Sequence, residues 1–309
     1  MGLQLASRAM DFADFCAGAR VMIVAGKGGV GKTTVAATFA VAAARAGLSV
    51  LIVEVEGKSG LTAAFGLEPL TYDEIDLAPG IRARTLTPDA ALVEYLEDHG
   101  MKRIAKRLAA SGVLDVVATA VPGMRDILVL GKIKQLEQSE IADLIIVDAP
   151  AAGHAVSFLM SPAGLMDAVS VGPIRKQADD VVAMLRDPQR AQVMLVTLPE
   201  ETPVNELIDT AYALEDRVGL QLAPVVVNGC NNLPPESDAL DAGSPDIDAL
   251  RDAVAFAAER HAMQQAQTDR LAGRLAIPQI VLPFLPTASI TIAEIEQLAD
   301  RFVAEVERW

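Results

Sequence analysis

Residues 26–34 place Gly26, Lys27, Gly28, Gly29, Val30, Gly31, Lys32, Thr33 and Thr34 in succession, and Gly26-x-x-x-x-Gly31-Lys32-Thr33 satisfies the full Walker A phosphate-loop pattern. Each residue type has a chemical job. Glycines let successive backbone N–H groups turn inward toward a phosphate, Lys32 can reach the β and γ phosphates of a triphosphate, and the Thr33 hydroxyl can ligate Mg²⁺. Gly26, Gly28 and Gly31 also satisfy the Gly-x-Gly-x-x-Gly of a dinucleotide-binding turn, with Glu54 or Glu56 near the place of its ribose carboxylate. The Lys32-Thr33 pair separates the two readings: a triphosphate-Mg²⁺ loop needs it and a dinucleotide loop does not. ATP and Mg²⁺ are the expected ligands.

The loop must be positioned by a strand before it and a helix after it. Residues 21–25 form a short apolar run, and residues 33–46 form an Ala-rich helical stretch closed by Gly47. Residues 49–55 supply a second buried strand, which completes a β-α-β unit with a right-handed parallel crossover. Further strand candidates at 81–86, 144–147, 193–197, 222–227 and 277–282 alternate with helical patterns. The expected fold is α/β: a doubly wound, mostly parallel sheet with helices on both faces. A single domain over residues 1–309 is expected, with an appended helical layer at about 88–139 and a flexible acidic loop at about 231–246.

A second carboxylate-bearing element stands at Ile145-Ile146-Val147-Asp148, where an apolar strand ends in the aspartate of a Walker B arrangement. Asp148 is then the expected Mg²⁺ partner of Thr33. Val225-Val226-Val227-Asn228 puts an Asn at the carboxyl end of a late strand, where ligands collect in open α/β sheets.

The extra lysine at position 27 narrows the reading. Gly26-Lys27-Gly28-Gly29-Val30-Gly31-Lys32-Thr33-Thr34 resembles the deviant Walker A of a group that includes the arsenite-pump, tail-anchored-protein-targeting, division-site and chromosome-partition ATPases and the nitrogenase iron protein. In that group the first lysine crosses a dimer interface to the partner's nucleotide. The resemblance therefore implies an ATP-hydrolysing dimer in which Lys27 is catalytic alongside Lys32. Asp148 to His154, with Phe158 and Leu159, is similar to switch II of the arsenite-pump and targeting branch. The likeness makes Asp148 an outer-sphere Mg²⁺ partner and Gly153-His154 the sensor of the γ-phosphate; His154 also reads as an ordinary surface histidine. The stretch from Glu56 to Leu61 aligns without a gap with switch I, whose aspartate orients the attacking water. Here the carboxylate is Glu56. One added methylene moves it about 1.5 Å, and misplacements of about 1 Å can cost ~100-fold in rate. By the same resemblance Asn228 reads the adenine, and the Pro-rich stretch 281–286, with Pro283 and Phe284, covers the base.

Composition removes several partners. A formal net charge of −15 with a pI near 4.6 repels nucleic acid and anionic lipid, and the one dense basic segment, 101–107, reads as the solvated face of a helix. No stretch has the ~18 apolar residues of a membrane span, the first residues lack the order of a signal peptide, and Ala6 breaks the myristoylation pattern. A cytoplasmic location is expected. Only Cys16 and Cys230 are present: they are too few for the arsenite-sensing thiol cluster, are not spaced as the Cys-x-x-Cys zinc clasp of the targeting ATPase, and do not lie where the nitrogenase iron protein has its cluster cysteines. Ile104, Leu108, Val113, Leu114, Val117 and Val121 recur at helical spacing and either pack on the sheet or line a client groove. The expected partners are a second copy or a paralogous ATPase, and a protein client. The alternative is a weakly active, nucleotide-gated scaffold paired with an active paralogue.

Overall fold

A computed structural model describes residues 10–55, 60–98, 100–111, 123–168, 172–234 and 247–309. Its strands are β1 (Val21–Gly26), β2 (Val50–Val55), β3 (Ile75–Ala78), β4 (Ile81–Leu86), β5 (Leu144–Ala151), β6 (Ala191–Thr197), β7 (Val225–Cys230) and β8 (Gln279–Pro283). Among the described residues the helices are α1 (Phe12–Cys16), α2 (Lys32–Arg45), α3 (Gly60–Ala64), α4 (Pro88–Asp98), α5 (Lys102–Ser111), α6 (Met124–Gln138), α7 (Ala152–Ala168), α8 (Pro173–Arg186), α9 (Glu201–Val218), α10 (Ile247–Arg274) and α11 (Ile292–Val306).

The strands form one sheet in the order β3-β4-β2-β5-β1-β6-β7-β8, parallel throughout except for the edge strand β3. Alternate side chains of each strand feed opposite faces. Val21, Ile23, Leu51, Val53, Ile145 and Val147 pack with α6, α7, α8 and α9 on one side. Met22, Val24, Ile52 and Ile146 pack with α2 and α11 on the other. This is the doubly wound architecture expected from the sequence. It also decides against the dinucleotide alternative, in which the first two strands are neighbours. Here β5 lies between β1 and β2, and β1 is flanked by β5 and β6. Glu54 is buried within β2 and accepts a hydrogen bond from the Thr85 hydroxyl.

Three local departures have physical reasons. Strand β3 escaped the sequence reading because it is four residues long, antiparallel and mostly half-exposed. Strands β7 and β8 begin at 225 and 279 rather than 222 and 277, each directly after a proline, Pro224 and Pro278, whose missing N–H cannot join a ladder. Among the described residues, α4, α5 and α6 lie between 88 and 138. Residues 112–122, with Val113, Leu114, Val117 and Val121, lie outside the described residues, as do 235–246 of the acidic loop. No described helix is long and apolar enough to cross a membrane.

Four phenylalanines and Trp309 form one aromatic cluster. Phe39 of α2 stacks on Phe302 of α11 with centroids 5.3 Å apart, while Phe12 and Phe15 of α1 pack edge-on or tilted against both. The cluster fastens the first and last helices onto the helix that follows the loop. Phe302→Ala is therefore expected to cost about 3–5 kcal/mol of stability, the usual toll of a buried Phe truncation. A urea-denaturation midpoint equal to wild type would show that this cluster does not anchor α11.

Candidate active site

The loop of residues 27–31 joins β1 to α2, and its shape follows from close contacts at two glycines. A Cβ on Gly26 would lie 2.4 Å from the Val196 carbonyl oxygen of β6. Gly31 has φ +92°, and a Cβ there would lie 2.3 Å from Nδ2 of Asn228. Neither position admits another residue without displacing its neighbour. Helix α2 starts at Gly31 with no side-chain cap. The N–H groups of its first turn are thus left for a ligand, and the helix dipole favours an anion there.

Two side chains hold the loop's carbonyls. Asn228, on β7, donates from Nδ2 to the Val30 carbonyl at 2.9 Å. In a trans peptide C=O and N–H point in opposite directions, so this bond turns the Gly31 N–H the other way. Lys32 is buried and donates from Nζ to the Lys27 carbonyl at 3.0 Å, which lays its ammonium across the loop. Asn228 thus acts on the loop itself, a contact the sequence reading did not anticipate.

The carboxylate strand sits beside the loop strand. In register, Val24 of β1 and Glu54 of β2 both lie opposite Asp148 of β5. The Thr33 hydroxyl donates to Asp148 Oδ2 at 2.6 Å, and Asp148 is 3% exposed. An alcohol oxygen and a carboxylate side by side are the hard donors that Mg²⁺ prefers.

Lys27 behaves differently from Lys32. Its Nζ pairs with Oε1 of Glu206 on α9 at 2.6 Å, with both side chains close to half-exposed at 42% and 43%. Such a pair is worth only about 0–1 kcal/mol. Lys27 is parked, not locked. Glu206 was missed as a site residue, because it lies 179 residues along the chain from Lys27.

A cleft of about 480 Å³ opens beyond the ends of β7 and β8, lined in part by Asn231, His261, Gln264, Pro283, Phe284 and Arg301. This size suits a small-molecule site. Its two loops are tied together by the Phe284 N–H donating to the Cys230 carbonyl at 2.8 Å. Gln264 and His261 of α10 hold the Asn231 backbone: Gln264 Oε1 accepts from its N–H at 2.7 Å, and His261 Nδ1 meets its carbonyl at 2.9 Å. Cys230, at the cleft's inner edge, has its thiol pushed up to about 11, first by burial and then by the charge of Glu305. Burial pushes the Cys16 thiol, in α1, up to about 12.

Pro283 and Phe284 are thus brought to one wall of this cleft, and Lys27, Lys32, Thr33 and Asp148 to the loop. Gly28, Gly29 and Thr34 lie within the loop and the first turn of α2. Gly153 and His154 fall in the first turn of α7, with their side chains outside the description. Glu56 lies outside the described residues, immediately after β2.

A phosphate loop at the end of β1, with the carboxylate strand β5 beside it in a parallel sheet, defines a P-loop nucleotide-binding protein. Residues 19–177 match the sequence profile of the anion-transporting ATPases. ATPase BagA of Mycobacterium tuberculosis is 35% identical over 251 residues, 76% of this chain and 73% of that protein. A putative arsenical pump-driving ATPase of Halobacterium salinarum is 27% identical over 287 residues, 85% of this chain and 41% of that one. ATPase get3 of Schizosaccharomyces japonicus is 30% identical over 152 residues, 48% of this chain and 46% of that one. The chain belongs to the anion-transporting ATPase family and is a nucleotide-hydrolysing P-loop ATPase.

Removing the hydrogen bond to Val30 should loosen the loop. Asn228→Ala is expected to weaken both ATP and tripolyphosphate about 5- to 10-fold, corresponding to the ~1 kcal/mol of a typical hydrogen bond. Titration with each ligand checks this. A loss confined to ATP would assign Asn228 to the base instead of the loop.

Proposed function

We propose that this chain is a Mg²⁺-dependent ATPase that works as a dimer, homomeric or with a paralogous ATPase, and couples its nucleotide state to a protein client in the cytoplasm, within one domain. The observation that carries this reading is Lys27. It belongs to the phosphate loop yet is held off it by a weak ion pair to Glu206, which leaves it available to a second subunit.

In this reading the N–H groups of Gly28, Gly29, Val30, Gly31, Lys32 and Thr33 bind phosphate oxygens, and Lys32 neutralises the β and γ phosphates. Thr33 would hold Mg²⁺ directly and Asp148 would hold it in the outer sphere, and the ion would supply charge neutralisation to the phosphates. Pro283 and Phe284 wall the cleft that takes the adenine, close to Asn228. Glu56 orients the attacking water. Lys27 of each copy moves from Glu206 to the other copy's nucleotide, where a cation stabilises the charge of phosphoryl transfer as an arginine finger does. Loss of the γ-phosphate releases the segments at Glu56 and Gly153-His154, and the interface reopens.

Arsenite is not the cargo in this reading. That cargo would call for thiolates in a group, and Cys16 in α1 and Cys230 at the end of β7 are separately placed thiols, both held protonated by burial.

Light scattering with a non-hydrolysable ATP analogue tests the dimer. Lys27→Ala is expected to bind the analogue and stay monomeric, whereas Glu206→Gln, which unparks Lys27, should tighten dimerisation by up to about 5-fold, the equivalent of ~1 kcal/mol. Dimerisation that ignores Lys27→Ala sinks this model. Steady-state turnover tests the water-positioning role: Glu56→Gln should lower kcat by about 100-fold with ATP still bound. If turnover is unchanged, Glu56 is not that residue. A wild-type chain that turns over only beside a paralogue would favour the scaffold reading, which the Glu at position 56 keeps open.

A further inference from the structure

A second hollow, of about 280 Å³, opens between α4, α6 and α8, and none of the phosphate-loop residues lines it. Its walls include Lys132 and Lys134 of α6, Lys176, Gln177 and Asp180 of α8, and Tyr95 of α4. The chain has eight lysines and a formal net charge of −15. Three of the eight meet here.

Lys132 and Lys134 are each only 8% exposed. Burying an ammonium is costly unless it is paired and hydrogen-bonded. Lys132 Nζ donates to Glu94 and to Gln135, and Lys134 Nζ donates to Gln177 Oε1 and Asp180 Oδ2, both at 3.2 Å. An ammonium has three N–H donors, so each lysine has a third beyond these two bonds. Lys176 stands exposed at the rim. Set against the carboxylates of Glu94 and Asp180, the three ammonium groups leave one positive charge in excess.

The remaining walls add donors. Gln177 spends its Oε1 on Lys134, which turns its NH₂ group toward α6. There Nε2 lies 1.8 Å from where a Cβ on Gly131 would be. A glycine inside a helix is destabilising relative to alanine. Here it makes room for the carboxamide. The hollow is therefore donor-rich and locally cationic in an acidic protein whose overall field repels anions. At ~30 Å³ per water it has space for about nine water-sized groups.

We propose that this hollow is a binding site for a small oxyanion, a carboxylate or phosphate group of a free metabolite, separate from the nucleotide site. Lys134 and Lys176 supply charge-assisted hydrogen bonds and Gln177 a neutral one. The proposal stands independently of the dimer.

The test is calorimetric titration of the full chain at low salt, saturated with Mg²⁺ and a non-hydrolysable ATP analogue so that the phosphate loop is filled. Inorganic phosphate and succinate are the two probes. Single-site binding of either is expected, weakened at least 10-fold in Lys176→Gln and in Lys134→Gln but unchanged in Lys102→Gln on α5. Phosphate alone would assign a phosphate group, succinate alone a carboxylate. Lys176→Gln decides the matter, because it changes an exposed side chain and leaves the buried pairs intact; an unchanged melting temperature verifies its fold. No binding of either probe, or equal binding to Lys176→Gln and wild type, overturns the site.

Discussion

A phosphate loop has to present N–H groups inward with its carbonyls turned away, and the peptide between Val30 and Gly31 is where this chain enforces that. Asn228 holds the Val30 carbonyl at 2.9 Å and fills the space a Gly31 side chain would need. The constraint comes from β7, two strands away from β1 in the sheet. From β6, the Val196 carbonyl closes the space above Gly26, and from α2, Lys32 takes the Lys27 carbonyl. The loop is thus shaped by three elements distant from one another in sequence. Their relative placement is set by the parallel register of β1, β6 and β7 and by the two apolar layers that cover them. The sheet's function is to fix these distances. A shift of one residue in that register would exchange the side chains of the two faces and carry Val196 and Asn228 away from the loop.

The two lysines of the loop are separated by their environments more than by their chemistry. Lys32 is buried and is bonded to the loop's own backbone, so leaving it would forfeit a hydrogen bond in a low-dielectric setting. Lys27 is near half-exposed and paired with a carboxylate that is equally exposed, so exchanging Glu206 for a more highly charged acceptor costs little. A lysine bonded to the loop's own backbone and one held by a weak, half-exposed ion pair are thereby built five positions apart.

What the sequence made legible follows the same division. The strand, loop and helix from Val21 to Arg45, and Asp148 at the end of an apolar run, could be read because the chemistry lies within a few residues of the periodicity that positions it. The Lys27–Glu206 pair spans 179 residues and Asn228–Val30 spans 198, and no local pattern encodes which Glu or which carbonyl is met. Asn228 was legible as a strand-ending Asn and its contact was not. The strand starts at Val225 and Gln279 were displaced by the prolines that precede them, a backbone effect that an apolar count does not register. Four short residues of β3 carry too little alternation to be told from a loop.

Charge placement ties the loop to the rest of the surface. The arginine pairs range from exposed ones, Arg20–Glu140 and Arg45–Asp300, to those on the buried carboxylates Glu137, held by Arg190, and Glu305, held by Arg301 and Arg308. Their planar forks suit such fixed pairs. Lysines are scarce and are used otherwise: Lys27 and Lys32 lie at the phosphate loop, and Lys132, Lys134 and Lys176 converge between α6 and α8. In a chain with a net charge of −15, dispersed cations would be swamped by the surrounding field, and only convergence in a concave, partly desolvated place lets them attract an anion. A compact ammonium with three donors is well suited to that, because it can hold a carboxylate of the protein with one N–H and still offer another to a ligand. The acidic surface and the lysine-lined hollows are thus two parts of one arrangement: the first excludes anions broadly, and the second admits them at chosen positions.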